Sequence, residues 1–387
     1  MIQRIIPRLI LTALIVLATL TLTACGQAPP SGWPGLTPGE GVVYLTATTK
    51  VYAVNTTDGT QKWPYEAKIQ QAGLFGNQTV AAKLNAPPAV EEGVVYFGSD
   101  EGILLAVDAA TGTQKWEFTP EIPTIIPILN IKEKAGAIFA GPVLAGKRVI
   151  VGTQNKVYAL DTTTHKKPDW EFEAGSQVWG TPLVVGDTVY VSTLGHKLVA
   201  LNAETGKVRW VLDKPKGALA GSPVHDNGVI YVGSFDNHLY AVDAATGEQV
   251  WPEPFDANNW IWEGPAVVSG TLYFGDMSGN VRALDAATQK LVWSEPFQAG
   301  GPVRATPLYA DGTLYVGTAS GVLYALDAAT GQPRWSQPFQ VQNAQFLTTP
   351  LMRDGVLLVA PLSAPTLLYG LDPSNGQAKW QFNPAGK

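Results

Sequence analysis

The sequence has few of the residues that build redox and metal centres. Its 387 residues include one Cys, Cys25, and four His. A single Cys excludes an intramolecular disulfide and a haem attached through two cysteines. The four His show no spacing typical of a metal site, so no metal-ligating and no catalytic residue is predicted.

Charge is also sparse. Charged residues make up 15% of the chain, hydrophobic residues 45%, and the formal net charge is -6. No cluster of Lys and Arg follows the N-terminus, whereas nucleic-acid binding needs a basic patch, so no nucleic-acid partner is predicted. The 40 Gly and 29 Pro favour many short strands joined by tight turns over helices.

A long hydrophobic run occurs at the N-terminus. Arg4 and Arg8 precede the apolar residues 9–22, and LTAC (22–25) ends the run with small residues. This order is typical of a secretory signal, and the run is short for a membrane span, which needs about 20 apolar residues. LTAC is similar to a bacterial lipobox, in which the Cys is acylated and becomes the first residue of the mature protein.

The N-terminus therefore predicts a lipoprotein signal peptide over residues 1–24, lipidation at Cys25 and a tether over 25–32. A cleaved signal with an incidental Cys is the alternative. We expect an exported protein, lipid-anchored to the outer face of the cytoplasmic membrane or to the periplasmic face of an outer membrane.

One phrase recurs along the rest of the chain. AVDAATGTQKW (106–116), AVDAATGEQVW (241–251) and ALDAATGQPRW (325–335) are three copies of it. Its final Trp recurs at intervals of 40 to 54 residues, at Trp63, Trp116, Trp170, Trp210, Trp251, Trp293, Trp335 and Trp380. A second phrase, a Pro followed by apolar residues, precedes each copy. The sequence thus contains eight repeats.

Each repeat is expected to form four strands. Strand A starts at the Pro, B is a run like GVIYVG (228–233), C is a run like LYAVD (239–243), and D carries the Trp. Four strands at this period are typical of propeller blades, although a β-solenoid is the alternative. The predicted fold is an all-β, eight-bladed β-propeller of four-stranded antiparallel blades over residues 33–387. Lys166 and Gln289 replace the Gly of the C–D turn in repeats three and six, so those two turns are expected to differ in shape.

The phrase A-[LV]-D-x-x-T-G-x-x-x-W resembles the tryptophan-docking motif of the PQQ-like, quinoprotein-type β-propeller family. Eight copies after a lipobox are most similar to the BamB-like lipoproteins of outer-membrane β-barrel assembly. The resemblance implies that the eight repeated Trp residues are structural and pack between adjacent blades.

The resemblance leaves three functions open. Dehydrogenases of this family bind the cofactor PQQ with a calcium ion, and many cover it with a disulfide between adjacent cysteines. This sequence has one Cys and no carboxylates at calcium-loop spacing, so no cofactor is expected. The main prediction is a non-enzymatic scaffold, a monomer within a protein assembly at the membrane. A propeller that binds PQQ or a sugar, and a PQQ-dependent dehydrogenase, are the alternatives.

Residues outside the repeat indicate a binding face. In a propeller blade the D–A and B–C connections share one face. The four Trp outside the motif, Trp33, Trp179, Trp260 and Trp262, all precede a strand-A Pro, on the D–A side. Three residues before that Pro the repeats have Asn85, Phe139, Trp179, Ala220, Trp262, Arg304 and Leu347. Aromatic residues and Arg are enriched in protein interfaces.

The predicted partner-binding face consists of Asn85, Phe139, Trp179, Trp260, Trp262, Arg304 and Leu347. Residues that merely plug the central channel are the alternative interpretation.

Overall fold

The computed structural model describes residues 34–73, 76–120, 124–126, 131–132 and 136–384. The predicted signal peptide, Cys25, the tether and Trp33 lie outside these residues. The described residues include no candidate for a membrane-spanning helix.

The described chain forms eight four-stranded antiparallel blades, which confirms the predicted β-propeller. Strand A is Gly35–Pro38, Ala89–Glu91, Val143–Ala145, Leu183–Val185, Val224–Asp226, Ala266–Val268, Leu308–Ala310 and Leu351–Arg353 in blades 1 to 8. Strand B is Val42–Ala47, Val94–Gly98, Arg148–Gly152, Thr188–Ser192, Val229–Gly233, Thr271–Gly275, Thr313–Gly317 and Val356–Val359.

Strand C is Lys50–Asn55, Leu104–Asp108, Lys156–Asp161, Leu198–Asn202, His238–Asp243, Asn280–Asp285, Val322–Asp327 and Leu368–Leu371. Strand D is Gln61–Glu66, Gln114–Phe118, Trp170–Glu173, Val208–Leu212, Phe255–Asp256, Phe297–Gln298, Phe339–Gln340 and Ala378–Phe382. Two hairpins occupy the long D–A connections, Lys68–Gly73 with Gly76–Ala81 and Thr124–Ile126 with Ile131–Lys132.

Strand D of blades 5 to 7 differs from the predicted strand because it does not contain the Trp. In these blades Trp251, Trp293 and Trp335 precede a strand of two residues. Each of the three intervening segments contains a Pro three residues after the Trp: Pro254, Pro296 and Pro338. Proline cannot donate a ladder hydrogen bond, so the outermost strand is interrupted there.

Each blade is built from one continuous segment, and the ring closes between blades 8 and 1. The last strand, Ala378–Phe382, pairs with Leu368–Leu371 of its own blade. Strand A of blade 1 adjoins strand A of blade 8, and Val43 and Leu45 share a buried core with Leu358 and Leu368. Closure of the ring leaves no blade with an uncovered face.

Strands B and C are buried on both faces, which explains why they are almost continuously apolar. Val189, Val191 and Val199 of blade 4 pack against blade 3. Tyr190 and Ala200 of the same strands point the other way and pack against blade 5. Eight such clusters, one between each pair of adjacent blades, form the core.

The repeated Trp residues join each blade to the next. The indole Nε1 of Trp210 in blade 4 donates to the carbonyl of Ala244 in blade 5 at 3.1 Å, and the Tyr190 hydroxyl donates to the same carbonyl at 2.8 Å. Gly247, in the next turn, has a φ of 74°, and a Cβ there would lie 2.5 Å from the Trp210 ring. The bond to the next blade recurs for Trp63, Trp170, Trp251, Trp293 and Trp335.

The two turns that lack Gly keep most of the turn geometry, contrary to expectation. Gln289 has a φ of 56° and its N–H donates to the Asp285 carbonyl at 2.9 Å, as Gly247 does to Asp243 at 2.8 Å. In repeat three His165, not Lys166, takes the Gly position, with a φ of 31°. A left-handed residue other than Gly costs about 1–2 kcal/mol, which packing between blades can offset; His165 stacks on Trp116 with ring centroids 4.7 Å apart.

Trp380, the docking residue at the closure, packs against Gly59 of blade 1 as Trp210 packs against Gly247, but its own blade differs at the contact. It lies against Gly370 of its own blade, where a Cβ would be 2.2 Å from the indole ring. The other seven C strands have Ala opposite the Trp. The Trp380 Nε1 has no hydrogen-bond partner among the described residues. The last docking contact therefore relies on packing without the indole hydrogen bond.

Candidate functional site

The D–A and B–C connections lie on one face, joined by a recurring backbone hydrogen bond. The Ile261 N–H donates to the carbonyl of Ser234 in the preceding B–C turn at 3.2 Å, and Phe346 donates likewise to Thr318 at 2.9 Å. The donors are buried apolar residues four positions before the strand-A Pro: Leu84, Ile138, Val178, Leu219, Ile261, Val303 and Phe346. These anchors hold the D–A loops in place. Sequence reasoning missed them, although an apolar residue stands at this position in seven repeats.

Aromatic side chains from several blades meet on this face. Phe139 contacts Trp179 edge-on with ring centroids 6.1 Å apart, and Trp179 stacks on Trp262 at 6.3 Å. Trp179 precedes strand A of blade 4 and Trp262 precedes strand A of blade 6. Blade 5, between them, contributes only Ala220 at the equivalent position. A small residue there leaves room for two aromatic residues from non-adjacent blades to meet.

Phe235, in the B–C turn of blade 5, extends the group outwards. Its ring is stacked on Trp260 at 4.9 Å and packs on Trp262 at 5.0 Å. The Trp260 residue remains 46% exposed. Phe235 was missed from the sequence; the signal was an aromatic residue at a turn position where other blades have Asp100, Gln154, Leu194, Met277 and Ala319.

Arg304 adds a cation to the aromatic group. Its guanidinium carbon lies 4.6 Å from the centroid of the Trp262 ring, within range of a cation–π interaction. Burial lowers the pKa of the Arg304 guanidinium. Arg304 forms no ion pair with any carboxylate of the described chain, and its Nε, like the Trp179 Nε1, has no hydrogen-bond partner there. We call Phe139, Trp179, Phe235, Trp260, Trp262 and Arg304 the mouth cluster.

Two residues of the predicted face do not join the mouth cluster. Asn85 and Leu347 are both buried. Both side chains therefore offer little surface to a partner. The structure brings five of the seven predicted residues together, and Phe235 joins them.

The opposite face uses its carboxylates for its own turns. Asp243 Oδ1 accepts hydrogen bonds from the N–H groups of Ala245 and Thr246 and from the Thr246 hydroxyl. These hydrogen bonds hold the pKa of Asp243 below its ordinary value. The same pattern recurs at Asp108 and Asp327. The repeated Asp residues therefore stabilise the C–D turns.

A chain of hydrogen bonds links the loops just below the mouth cluster. The Gly141 N–H donates to the Thr181 hydroxyl at 3.1 Å, and the Thr181 N–H donates to the Ser222 hydroxyl at 3.1 Å. The Ser222 N–H in turn donates to Oε2 of Glu263 at 2.9 Å. Glu263 is the one ionisable acceptor in this series of hydrogen bonds. Burial raises the pKa of its carboxyl to about 7.

The stability of the protein is expected to depend on pH through Glu263. Its folded pKa of about 7 lies above the ordinary value of 4.5, so the folded state binds the proton more tightly. The resulting stabilisation is present below about pH 4.5 and is lost as the pH rises through 7. Because one pKa unit corresponds to about 1.4 kcal/mol, the wild type should lose about 2 kcal/mol between pH 5 and pH 8 relative to Glu263→Gln. Urea unfolding at both pH values measures this difference.

The exposed Glu248 supplies the control for this prediction. Glu248→Gln should leave the pH dependence of unfolding as in the wild type. Parallel pH profiles for the wild type and Glu263→Gln would show that Glu263 titrates normally.

The mouth cluster does not fit the calcium ion that accompanies PQQ in quinoprotein dehydrogenases. Calcium takes six to eight oxygen ligands, several of them carboxylates. Among the described residues no group of three His, Cys, Asp or Glu could hold a metal ion. Glu263, the carboxylate beside the cluster, is already bound to backbone N–H groups. The absence of a cofactor stays a prediction.

Comparison with known proteins decides the family. A family model that describes the outer membrane protein assembly factor BamB matches residues 26–127, 124–259, 170–300 and 278–386. The chain belongs to this family. The matches span nearly the whole propeller, so membership in the BamB family rests on all eight blades.

Individual relatives of this BamB-family chain differ in activity. It is 29% identical over 128 residues to the outer membrane protein assembly factor BamB of Shewanella oneidensis, covering 33% of this chain and 32% of that protein. It is 32% identical over 162 residues to the dehydrogenase subunit of the quinone alcohol dehydrogenase of Gluconacetobacter polyoxogenes, covering 40% of this chain and 21% of the relative. The aligned part thus spans a third or less of each relative's length.

Solved structures show the same fold. BamB from Moraxella catarrhalis superposes with a TM-score of 0.65 at 18% identity, over 84% of this chain and 92% of that one. The quinohemoprotein alcohol dehydrogenase from Comamonas testosteroni gives a TM-score of 0.64 at 17% identity, over 92% of this chain and 78% of that one. Both establish the propeller, and neither establishes an activity.

Proposed function

We propose that this BamB-family propeller is a non-enzymatic scaffold of the cell envelope that binds a protein partner through the mouth cluster. The observation that carries the proposal is the exposed stack of Trp260 on Phe235, beside an Arg304 guanidinium that has no ion-pair partner in the described chain. An exposed aromatic residue next to a desolvated Arg is typical of interface hot spots.

The polar groups of the cluster suit a partner that offers hydrogen-bond acceptors. The Trp179 Nε1 and the Arg304 Nε are buried donors without an acceptor among the described residues. A buried donor left unpaired costs about 1–3 kcal/mol. A partner cannot reach these two buried atoms, so its acceptor would bind the remaining guanidinium nitrogens of the partly exposed Arg304. A protein surface with an acidic residue among apolar ones meets these requirements.

An envelope location is supported by family membership and by the lipobox-like LTAC sequence ending at Cys25. A lipid anchor on Cys25 would hold the scaffold at a membrane surface, either the outer face of the cytoplasmic membrane or the periplasmic face of an outer membrane. In the second case a role in β-barrel assembly, as in the BamB proteins, is the specific form of the proposal.

Photo-cross-linking in native membranes tests the proposal. A photoreactive amino acid at position 260 should trap a protein partner, whereas one at Ala329, an exposed position in the C–D turn of blade 7 on the opposite face, should not. Adding Arg304→Gln should lower the yield at position 260 about tenfold or more, because hot-spot residues contribute about 2 kcal/mol. Cross-links from position 329 alone would move the recognition surface to the other face.

The similarity to alcohol dehydrogenases over 40% of the chain makes a quinoprotein enzyme the second candidate. Purified full chain with PQQ, calcium ions and an alcohol is expected not to reduce an artificial electron acceptor. Turnover in this assay would contradict the scaffold proposal directly. The assay can be carried out without knowing the partner.

A further inference from the structure

The outer rim of the propeller consists of eight edge strands, one strand D per blade. An edge strand has unpaired N–H and C=O groups that can pair with another chain, and proteins protect such edges with proline, charge or interruption. Blades 5 to 7 are protected by interruption, since strand D is reduced to two residues after Pro254, Pro296 and Pro338.

Four other edges are protected by proline or by charge and polarity. The exposed side chains of strand D include Pro64 and Glu66 in blade 1, Lys115 and Glu117 in blade 2, Glu171 and Glu173 in blade 3, and Lys379 and Gln381 in blade 8. Blade 4 is different. Its strand D, Val208–Leu212, is unbroken, and Val208 and Val211 are 49% and 45% exposed.

A β-bulge places both valines on one face of blade 4. Val211 pairs with Val199 and Val208 pairs with Leu201, while Arg209 is the extra residue. Val199 and Leu201 are two residues apart on one strand, so their partners also share a side. No other blade has two large aliphatic residues at these positions. Arg209 points to Asp187 and forms an ion pair with it, which neutralises the charge on this edge.

The residues that flank this strand in the chain carry a small excess of positive charge. Lys207, Lys214 and Lys216 are exposed and form no ion pair with a described carboxylate, and they outnumber the exposed Glu204 and Asp213. The chain as a whole carries a net charge of -6. If a second copy of the protein paired with this edge, the lysines of the two copies would face each other, and both copies would carry the same net charge. An acidic strand of another protein is complementary.

We infer that the D strand of blade 4 accepts an extended segment of another protein as a fifth strand. The incoming strand has apolar residues at alternate positions, which cover Val208 and Val211, and acidic residues at its ends, which face the lysines. Backbone hydrogen bonds would supply affinity and the valine pair would supply register. This surface lies on the rim, so it is independent of the mouth cluster and of the proposed function.

A model peptide tests the inference on the full chain. The probe is a fluorescently labelled peptide of about ten residues in which Val and Thr alternate and Glu stands at both ends. Its binding, followed by fluorescence anisotropy, should weaken at least tenfold in Val208→Glu/Val211→Glu. The control Val250→Glu, at a 48% exposed valine on the interrupted edge of blade 5, should leave binding unchanged. Circular dichroism and thermal melting establish that both variants are folded.

Two altered peptides separate strand addition from other binding. N-methylation of alternate residues removes backbone donors and should abolish binding, and Lys in place of the terminal Glu should weaken it about tenfold. Equal binding of the N-methylated peptide, equal loss in Val250→Glu, or no binding at all would overturn the inference. A dimer in sedimentation equilibrium that Val208→Glu/Val211→Glu dissociates would also overturn it, by assigning the edge to a second copy.

Discussion

Asp276→Ser is expected to lower the free energy of unfolding by about 3–5 kcal/mol, and Arg282→Tyr by a similar amount, whereas the double variant should recover most of the loss. Asp276 and Arg282 are both buried, and a carboxylate oxygen lies 2.7 Å from a guanidinium nitrogen. Removal of one partner leaves an uncompensated buried charge, while replacement of both removes the charges together.

The neighbouring blades show which replacement fits. At the positions of Asp276 and Arg282, blade 5 has Ser234 and Tyr240, and blade 7 has Thr318 and Tyr324. The double variant therefore gives blade 6 the two side chains that blade 5 has at the equivalent positions. Ser234 accepts a hydrogen bond from the Asp236 N–H in its own turn, so a serine can serve the turn in blade 6.

Urea unfolding of the wild type, the two single variants and the double variant forms a double-mutant cycle. We expect a coupling energy of at least about 2 kcal/mol. Additive losses would mean that the ion pair contributes nothing beyond its separate hydrogen bonds, such as that from Arg282 to the Ala257 carbonyl.

Trp293→Ala and Trp260→Ala are expected to have opposite effects on stability and binding. Trp293 is buried, packs against Gly331 of the next blade, and donates from Nε1 to the Ala328 carbonyl at 3.0 Å. Its truncation should cost about 3–5 kcal/mol of stability, as for other buried aromatic residues. Trp260→Ala should cost less than about 1 kcal/mol, because that residue is 46% exposed.

Partner binding should reverse this order. Trp260→Ala should reduce co-purification of a membrane partner with the propeller, and Trp293→Phe, a milder docking variant that keeps most of the packing, should not. The measurement is partner yield at a temperature where both variants are folded. A loss of partner in Trp293→Phe but not in Trp260→Ala would place recognition outside the mouth cluster.

The mouth cluster and the rim of blade 4 illustrate what local sequence could and could not predict. Trp179, Trp260, Trp262 and Arg304 stood out because they break the repeat next to a strand-A Pro. Phe235 did not stand out, because it lies in a B–C turn, away from any strand-A Pro. Its contact with Trp260 forms only where the B–C turn meets the next D–A loop. Likewise strict alternation along a strand would put Val208 and Val211 on opposite sides, and the bulge at Arg209 puts them on the same side.

The turns show the same limit at a single position. Absence of Gly in repeats three and six predicted another turn shape, since the left-handed conformation disfavours other residues. The structure holds Gln289 and His165 in that conformation nonetheless. Contact with the neighbouring blade outweighs the local preference.

The sequence by itself determined the number of blades, the four strands in each and the residues that join them, because these depend on patterns that repeat within about 42 residues. Only the tertiary structure decided which non-repeated side chains meet. Their contacts depend on the position of each blade around a closed ring, on a small residue at Ala220 that lets Trp179 reach Trp262, and on one bulge at the rim. The repeated residues specify the propeller, whereas the contacts of the non-repeated residues depend on closure of the ring.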